Sequence, residues 1–259
     1  MSRIIILFLL LLSWSACKVV QPSARLESYA AKSVKLESKI RQNDAQKVSS
    51  FSYDYLEFSD PRIQEFVLHR IVLDSGMQSV DEMAHKFIAD YEQYTQESAH
   101  VNPWFENRTL IVRLQTPNYI GFELNWNNYT GGAHGMYSTV FYNYDVQDKD
   151  ELFLHEIFEP TRRQDLNRLG EELFRLQEGL SDTASLETNY FFENGQFYLN
   201  DNYTFTPQGI LFLYNIYEIK PYVSGPTELL IPYRSLEPLL NKKGRALISE
   251  IQQTSTTAR

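Results

Sequence analysis

Apolar and polar positions change period several times along the chain, and each change marks a predicted element. Residues 4–12 form a continuous apolar run, too short to span a bilayer and the length of a secretory signal core. Phe51, Tyr53 and Tyr55 alternate with polar neighbours and predict a first strand reaching Phe58. Asp60-Pro61 then opens a helix with Ile63, Phe66, Val67, Arg70 and Ile71 at helical spacing. Ser79-x-x-Glu82 has the form of a capping box, and Val80, Met83, Phe87, Tyr91 and Tyr94 define one helical face. Residues 108–114 predict a strand. Ile120, Phe122, Leu124 and Trp126 alternate with polar or small residues, and 136–146 alternates again, with Val140, Tyr142, Tyr144 and Val146 on one side. These two segments predict a hairpin across a glycine-rich turn. Pro160 and Thr161 introduce a helix through about Gln177, with Leu166, Leu169, Leu173 and Leu176 on its inner stripe and Gly179 at its end. Asn194-Gly195 marks a turn, after which 197–199, 203–206 and 210–219 predict strands, the last apolar on both faces and therefore central. Residues 235–252 predict a final helix weakened by Gly244. Mixed element order with hairpins predicts an α+β fold, mixed or antiparallel sheets covered by helices in two closely joined subdomains, rather than a doubly wound parallel sheet.

The apolar run follows Arg3 and leads through Ser13, Trp14, Ser15 and Ala16 to Cys17, the single cysteine. This order resembles a bacterial lipoprotein cleavage box, with Trp14 where Leu is usual. It predicts a signal peptide over 1–16, acyl chains on Cys17, and a protein held on a bacterial membrane, facing the periplasm or exterior of the cell envelope. With Cys17 committed to lipid, no thiol remains for a disulfide, a thiolate metal site or a nucleophile. Residues 18–50 carry seven basic and three acidic side chains, a net charge of +4, whereas 51–259 carry 16 basic and 30 acidic, a net charge of -14. Residues 17–47 accordingly read as the lipidated cysteine and a flexible basic tether, with an edge strand around Val34 to Ile40 as the alternative. The acidic balance beyond residue 50 argues against nucleic acid as a partner. The 36 aromatic residues suit strands and cores; a sugar-stacking surface is their other use.

The most distinctive string is Tyr129-Thr130-Gly131-Gly132-Ala133-His134-Gly135. It reads either as a binding loop with His134 at its tip or as a bulged hairpin turn. Gly131, Gly132 and His134, with Asn143 and Asp145 on the strand that follows, form the candidate ligand-binding set. No catalytic residue, metal ligand or cofactor is assigned. His155 in Leu154-His155-Glu156 lacks the second histidine of a zinc-protease helix, and no Gly-x-Ser-x-Gly elbow is present. Asp145, Asp148, Asp150 and Glu151 form an acidic turn without the ligand order of a calcium loop.

Several longer strings carry a family resemblance: Gly131-Gly132-Ala133-His134-Gly135 with Phe141-Tyr142-Asn143-Tyr144-Asp145, then Leu152 to Phe158, then 214–226 from Tyr214-Asn215 to Gly225-Pro226, then Ile231-Pro232-Tyr233. Together, over about residues 48–245, they resemble the PdaC/RsiV-like domain pair, found outside bacterial membranes in a peptidoglycan deacetylase and in a lysozyme-sensing anti-sigma factor. The resemblance implies a PdaC-like domain over 48–148, an RsiV C-terminal-like domain over 149–259, and an extracytoplasmic binding role. The turn 147–150 departs from the Thr-Gly-Lys-like pattern common there. Neither a sigma-binding segment nor a deacetylase domain accompanies the pair in this chain, so those activities do not transfer. The expectation is a binding module for an envelope ligand, either a cationic wall-active protein such as lysozyme or peptidoglycan glycan. An envelope glycan hydrolase and a structural scaffold are the alternatives.

Overall fold

The computed structural model describes residues 26–41, 48–98 and 102–257. The expected signal over 1–16, Cys17 and both ends of the expected tether lie outside these residues. Six strands form the larger sheet in sequence order: β1 (Tyr29–Arg41), β2 (Val48–Phe58), β3 (Phe105–Thr116), β4 (Tyr119–Tyr129), β5 (Met136–Asp145) and β6 (Asp150–Glu151). All neighbours are antiparallel except β2 and β3, which run parallel. Parallel neighbours need a crossover. It is supplied by α1 (Pro61–Phe66), which continues as π-helical turns over Val67–Val72, and by α2 (Val80–Glu97). Asp60 caps α1 by accepting from the amides of Arg62 and Ile63, and Ser79 Oγ accepts from the amide of Glu82 at 3.1 Å. The Glu82 carboxylate closes the cap one residue earlier than a capping box requires, on the amide of Gln78 at 2.7 Å. Phe51, Tyr53, Phe58, Phe66, Met83 and Phe122 fill the core between this sheet and its helices.

Residues 29–41 correct the tether expectation, because they form an edge strand longer than the alternative foresaw. Val34 and Leu36 pack on the core opposite Tyr53 and Phe51, while Lys35, Glu37 and Lys39 face water. Ser38 Oγ donates to the carboxylate of Glu92 on α2 at 3.0 Å, which ties the strand to the helix layer. Its lysines discourage another chain from pairing with the open edge.

The smaller sheet is antiparallel, with β7 (Tyr203–Phe205) and β9 (Thr227–Pro232) flanking a fully buried β8 (Gly209–Tyr214). Helices α3 (Arg163–Gln177), α4 (Tyr233–Leu236) and α5 (Lys242–Thr257) accompany it, and Phe174, Phe192, Phe205, Phe212 and Ile251 lie in its core. Helix α3 ends as expected. Gly179 takes φ +67°, and the amides of Leu180 and Gly179 return to the carbonyls of Arg175 and Leu176.

Four local expectations are corrected. The inner stripe of α3 keeps Leu166, with Leu169 and Leu173 half-buried against the core, and adds Gly170 and Phe174, but Leu176 is 77% exposed; Gly170 admits Leu199, which would lie 2.8 Å from an added Cβ. Residues 197–199 are not a strand, because Asn167 takes the carbonyl of Phe197 and the amide of Leu199 with its own side chain. The strand expected over 210–219 stops at Tyr214, and Tyr217 adopts φ +65°. The expected last helix is two: Pro238 lies in a 3₁₀ turn, and Asn241 then caps α5 by accepting from the amide of Gly244 at 2.9 Å. Strand β9, with alternating buried and exposed positions, was not foreseen.

Candidate functional site

The glycine-rich string is a hairpin tip between β4 and β5, as its turn reading expects. Gly131 and Gly132 hold φ values of +108° and +98°, which side chains resist, so the turn depends on them for its shape. It delivers His134, at the tip, onto a second loop from the far end of the chain. The imidazole stacks on Tyr222 with ring centroids 4.1 Å apart and planes 28° apart, and its Nε2 lies 3.3 Å from the hydroxyl of Tyr217. Nδ1 lies 2.9 Å from the carbonyl oxygen of Gly135. Tyr137 meets Tyr222 edge to face at 6.0 Å, and Tyr217 packs on Tyr222 at 5.6 Å. His134, Tyr137 and Tyr217 are exposed, and Val223 beside them is 91% exposed. The result is a shelf of four rings. Between 131 and 137, and again between 221 and 227, there is no Asp, Glu, Lys or Arg.

Asn143 and Asp145 do not join this shelf. They lie toward the other end of β5, whose ten residues span about 30 Å. Both are buried. Asn143 donates to the carbonyl of Tyr203 at 2.8 Å and accepts from the hydroxyl of Tyr119 at 2.6 Å, which joins the two sheets. Burial raises the pKa of Tyr119, so its phenol stays a donor. Asp145 accepts from the amides of Gln147 and Asp148 and pairs with Lys243 at 2.8 Å. Their alternation on one strand with His134 just upstream made them neighbours in sequence, and strand length separates them in space. Among the described residues no group of three or more His, Cys, Asp or Glu side chains is placed to hold a metal ion.

Next to the shelf lies a groove of about 120 Å³ between the sheets, lined by Arg113, Glu123, Tyr137, Phe141, Pro226 and Glu228 among others. Arg113 pairs with Glu123 and lies over the ring of Phe141, 5.5 Å from its centroid. The free edge of β5 beside this groove is held by side chains rather than by a strand. Asn215 Oδ1 accepts from the amide of Thr139 at 2.8 Å, and Asn202 Oδ1 accepts from the amide of Phe141 at 2.8 Å. Both asparagines return an amide proton to the Thr139 carbonyl, at 3.0 and 2.9 Å.

A family model described as "Deacetylase PdaC" matches residues 32–137, and one described as "Protein of unknown function (DUF3298)" matches residues 155–234. The chain carries the PdaC and DUF3298 domain pair. A crystal structure of a DUF3298 family member from Bacteroides fragilis aligns over 88% of this chain and 98% of its own, with a TM-score of 0.69 and 22% identity. A DUF3298 family protein from Pseudomonas aeruginosa aligns over 85% of this chain and 97% of its own, with a TM-score of 0.63 and 23% identity. At these identities the likeness is one of fold. No curated protein matches the chain at a significant level.

The shelf is shared between the two matched segments. His134 and Tyr137 belong to the PdaC segment, Tyr217 and Tyr222 to the DUF3298 segment. Neither segment alone carries all four rings. Tyr217, Tyr222 and the two clamping asparagines were missed as site residues because the structure places them in loops, and Tyr137 because it reads as one more residue of an alternating strand. A signal that could have found Tyr217 and Tyr222 is the dense Tyr, Gly and Pro content of 214–226, which suits a loop better than the continuation of a strand.

Proposed function

We propose that the protein is an extracytoplasmic binding module, anchored to the membrane through Cys17, and that it holds cell-wall glycan on the His134–Tyr137–Tyr217–Tyr222 shelf. The observation that carries this reading is a set of packed rings, exposed His134, Tyr137 and Tyr217 around half-buried Tyr222, whose loop segments 131–137 and 221–227 carry no charged residue in a strongly acidic protein. Aromatic faces offer sugars large, rigid contact area against their C–H faces, and an uncharged surface suits a ligand whose recognition does not depend on charge. No chemistry is assigned to the module. The described residues include no helix long and apolar enough to cross a membrane, so the lipid on Cys17 supplies the anchor in this reading.

Co-sedimentation with purified, insoluble peptidoglycan tests it. The protein pellets with the wall material, Tyr222→Ala leaves it in the supernatant, and equal pelleting of both removes the shelf as the site. Cys17→Ala moves the protein from the membrane to the soluble fraction of cells, and acylated, membrane-bound variant overturns the anchor. The charge of -14 over residues 51–259 favours a second reading, in which a cationic wall-active protein such as lysozyme is the partner. Binding to a c-type lysozyme that survives physiological salt, and that an unrelated basic protein does not match, supports it. Binding lost at that salt is charge attraction alone.

A further inference from the structure

The groove beside the shelf carries chemistry that the stacked rings do not. Stacking reads the ring face of a sugar and is indifferent to its substituents; polar selectivity needs donors and acceptors at fixed positions. Tyr137 belongs to both surfaces, since it lines the groove and meets Tyr222 on the shelf. A saccharide lying on the shelf therefore has the groove within reach of one substituent. Glu123 fixes the Arg113 guanidinium through one nitrogen, and Arg113 is half-exposed, its remaining N–H groups without a hydrogen-bond partner among the described residues. Glu123 is itself fixed by an amide proton from Asn125 at 2.8 Å, and Asn125 accepts from the hydroxyl of Thr139. Glu228, across the groove, is exposed and its carboxylate has no partner among the described residues. Phe141 and Pro226 add apolar wall.

Donor, acceptor and apolar wall in one small groove match an acetamido group, which has a carbonyl acceptor, an N–H donor and a methyl. At about 120 Å³ the groove suits a substituent, since whole small-molecule ligands occupy roughly 300–1,000 Å³. We infer that this groove is a subsite for the acetamido group of an N-acetylated saccharide, with Arg113 donating to its carbonyl and Glu228 accepting from its N–H. The inference rests on the glycan reading of the shelf and adds the class of sugar that it selects. A bare hydroxyl in the same position leaves the methyl contact unmade and at least one of the two charged groups unpaired.

The test is titration calorimetry of the purified protein with tetra-N-acetylchitotetraose and with cellotetraose, which have the same backbone and differ in acetamido against hydroxyl. The N-acetylated tetramer binds about tenfold more tightly, the effect of about one hydrogen bond to a charged group. In Arg113→Gln and Glu228→Ala the ratio between the two ligands falls to about one. Tyr222→Ala weakens both. Equal affinities in the unaltered protein, with both lost in Tyr222→Ala, overturn the groove and leave the shelf. A preference that persists in both groove variants also overturns it, and binding of neither tetramer overturns groove and shelf together. Should Arg113→Gln fail to fold for want of its contact with Phe141, Glu228→Ala at an exposed position decides.

Discussion

Replacing Asn215 by alanine removes one of the side chains that hold the second sheet against the free edge of β5. Its carboxamide accepts from the Thr139 amide at 2.8 Å and donates to the Thr139 carbonyl at 3.0 Å. The carbonyl keeps Asn202 as a donor at 2.9 Å, so the acceptor remains satisfied. Among the described residues the amide has no second partner. Loss of one net hydrogen bond costs about 1 kcal/mol, and an orphaned, half-buried amide adds about 1–2 kcal/mol, for a total of about 2–3 kcal/mol. For a protein of this size that lowers the melting temperature by about 4–12 °C. Asn215→Asp keeps the acceptor for the Thr139 amide, but its second oxygen faces the Thr139 carbonyl with no proton to share, and its charge lies near Glu218, which accepts from the Asn215 backbone amide at 2.8 Å. It should preserve protection at the Thr139 amide without restoring full stability. Urea unfolding gives the stability, and amide exchange read at Thr139 gives the local effect, with faster exchange expected in Asn215→Ala before global unfolding. A cost below about 0.5 kcal/mol, or unchanged protection at Thr139, would refute the account of the clamp.

Two further substitutions test other joints of the fold. Gly244→Ala in α5 ought to stabilise by about 1 kcal/mol on helix propensity alone, yet a Cβ there runs into the carbonyl oxygen of Ile157, so a loss of about 1–3 kcal/mol in denaturant unfolding is expected and a gain would show that the two segments are not so close. Lys243→Met leaves Asp145, Asp148 and Glu156 facing one another without their shared cation, and its melting temperature at pH 7 falls below that of the unaltered protein. The hydrogen bond from Lys243 holds the Asp148 carboxyl below the usual range. The pKa of Lys243 stands above its ordinary value despite burial, which pulls it down, because Asp145 and Asp148 hydrogen-bond the ammonium. The depressed carboxyl contributes stability that is present above its unfolded pKa near 4 and lost as pH falls through the lowered value; the raised lysine contributes below about pH 10 and loses it only at higher pH. The gap between variant and unaltered protein is therefore flat near neutrality and closes in acid; a gap that widens below pH 4 contradicts the assignment.

Much of the larger sheet was legible without coordinates because its strands announce themselves locally. Ile120, Phe122 and Leu124 alternate, so do the residues of β5, and the glycine-rich string between them supplies the turn that pairs them. Local chemistry also foretold the caps at Asp60, Ser79 and Gly179, since each acts on backbone groups within a few residues. Family motifs foretold an α+β domain pair. Tertiary contact decided the rest. The segment 29–41 is a strand because β2 pairs with one of its edges and α2 packs on one of its faces, and residues 197–199 are not one because Asn167, thirty positions away, claims their backbone. The same logic governs the candidate site. Asn143 and Asp145 read as companions of His134 along the chain, but a strand rises about 3.3 Å per residue and carries them away. Tyr217 and Tyr222, about eighty residues from His134, are brought against it by the docking of two sheets, a long-range arrangement that no local period encodes.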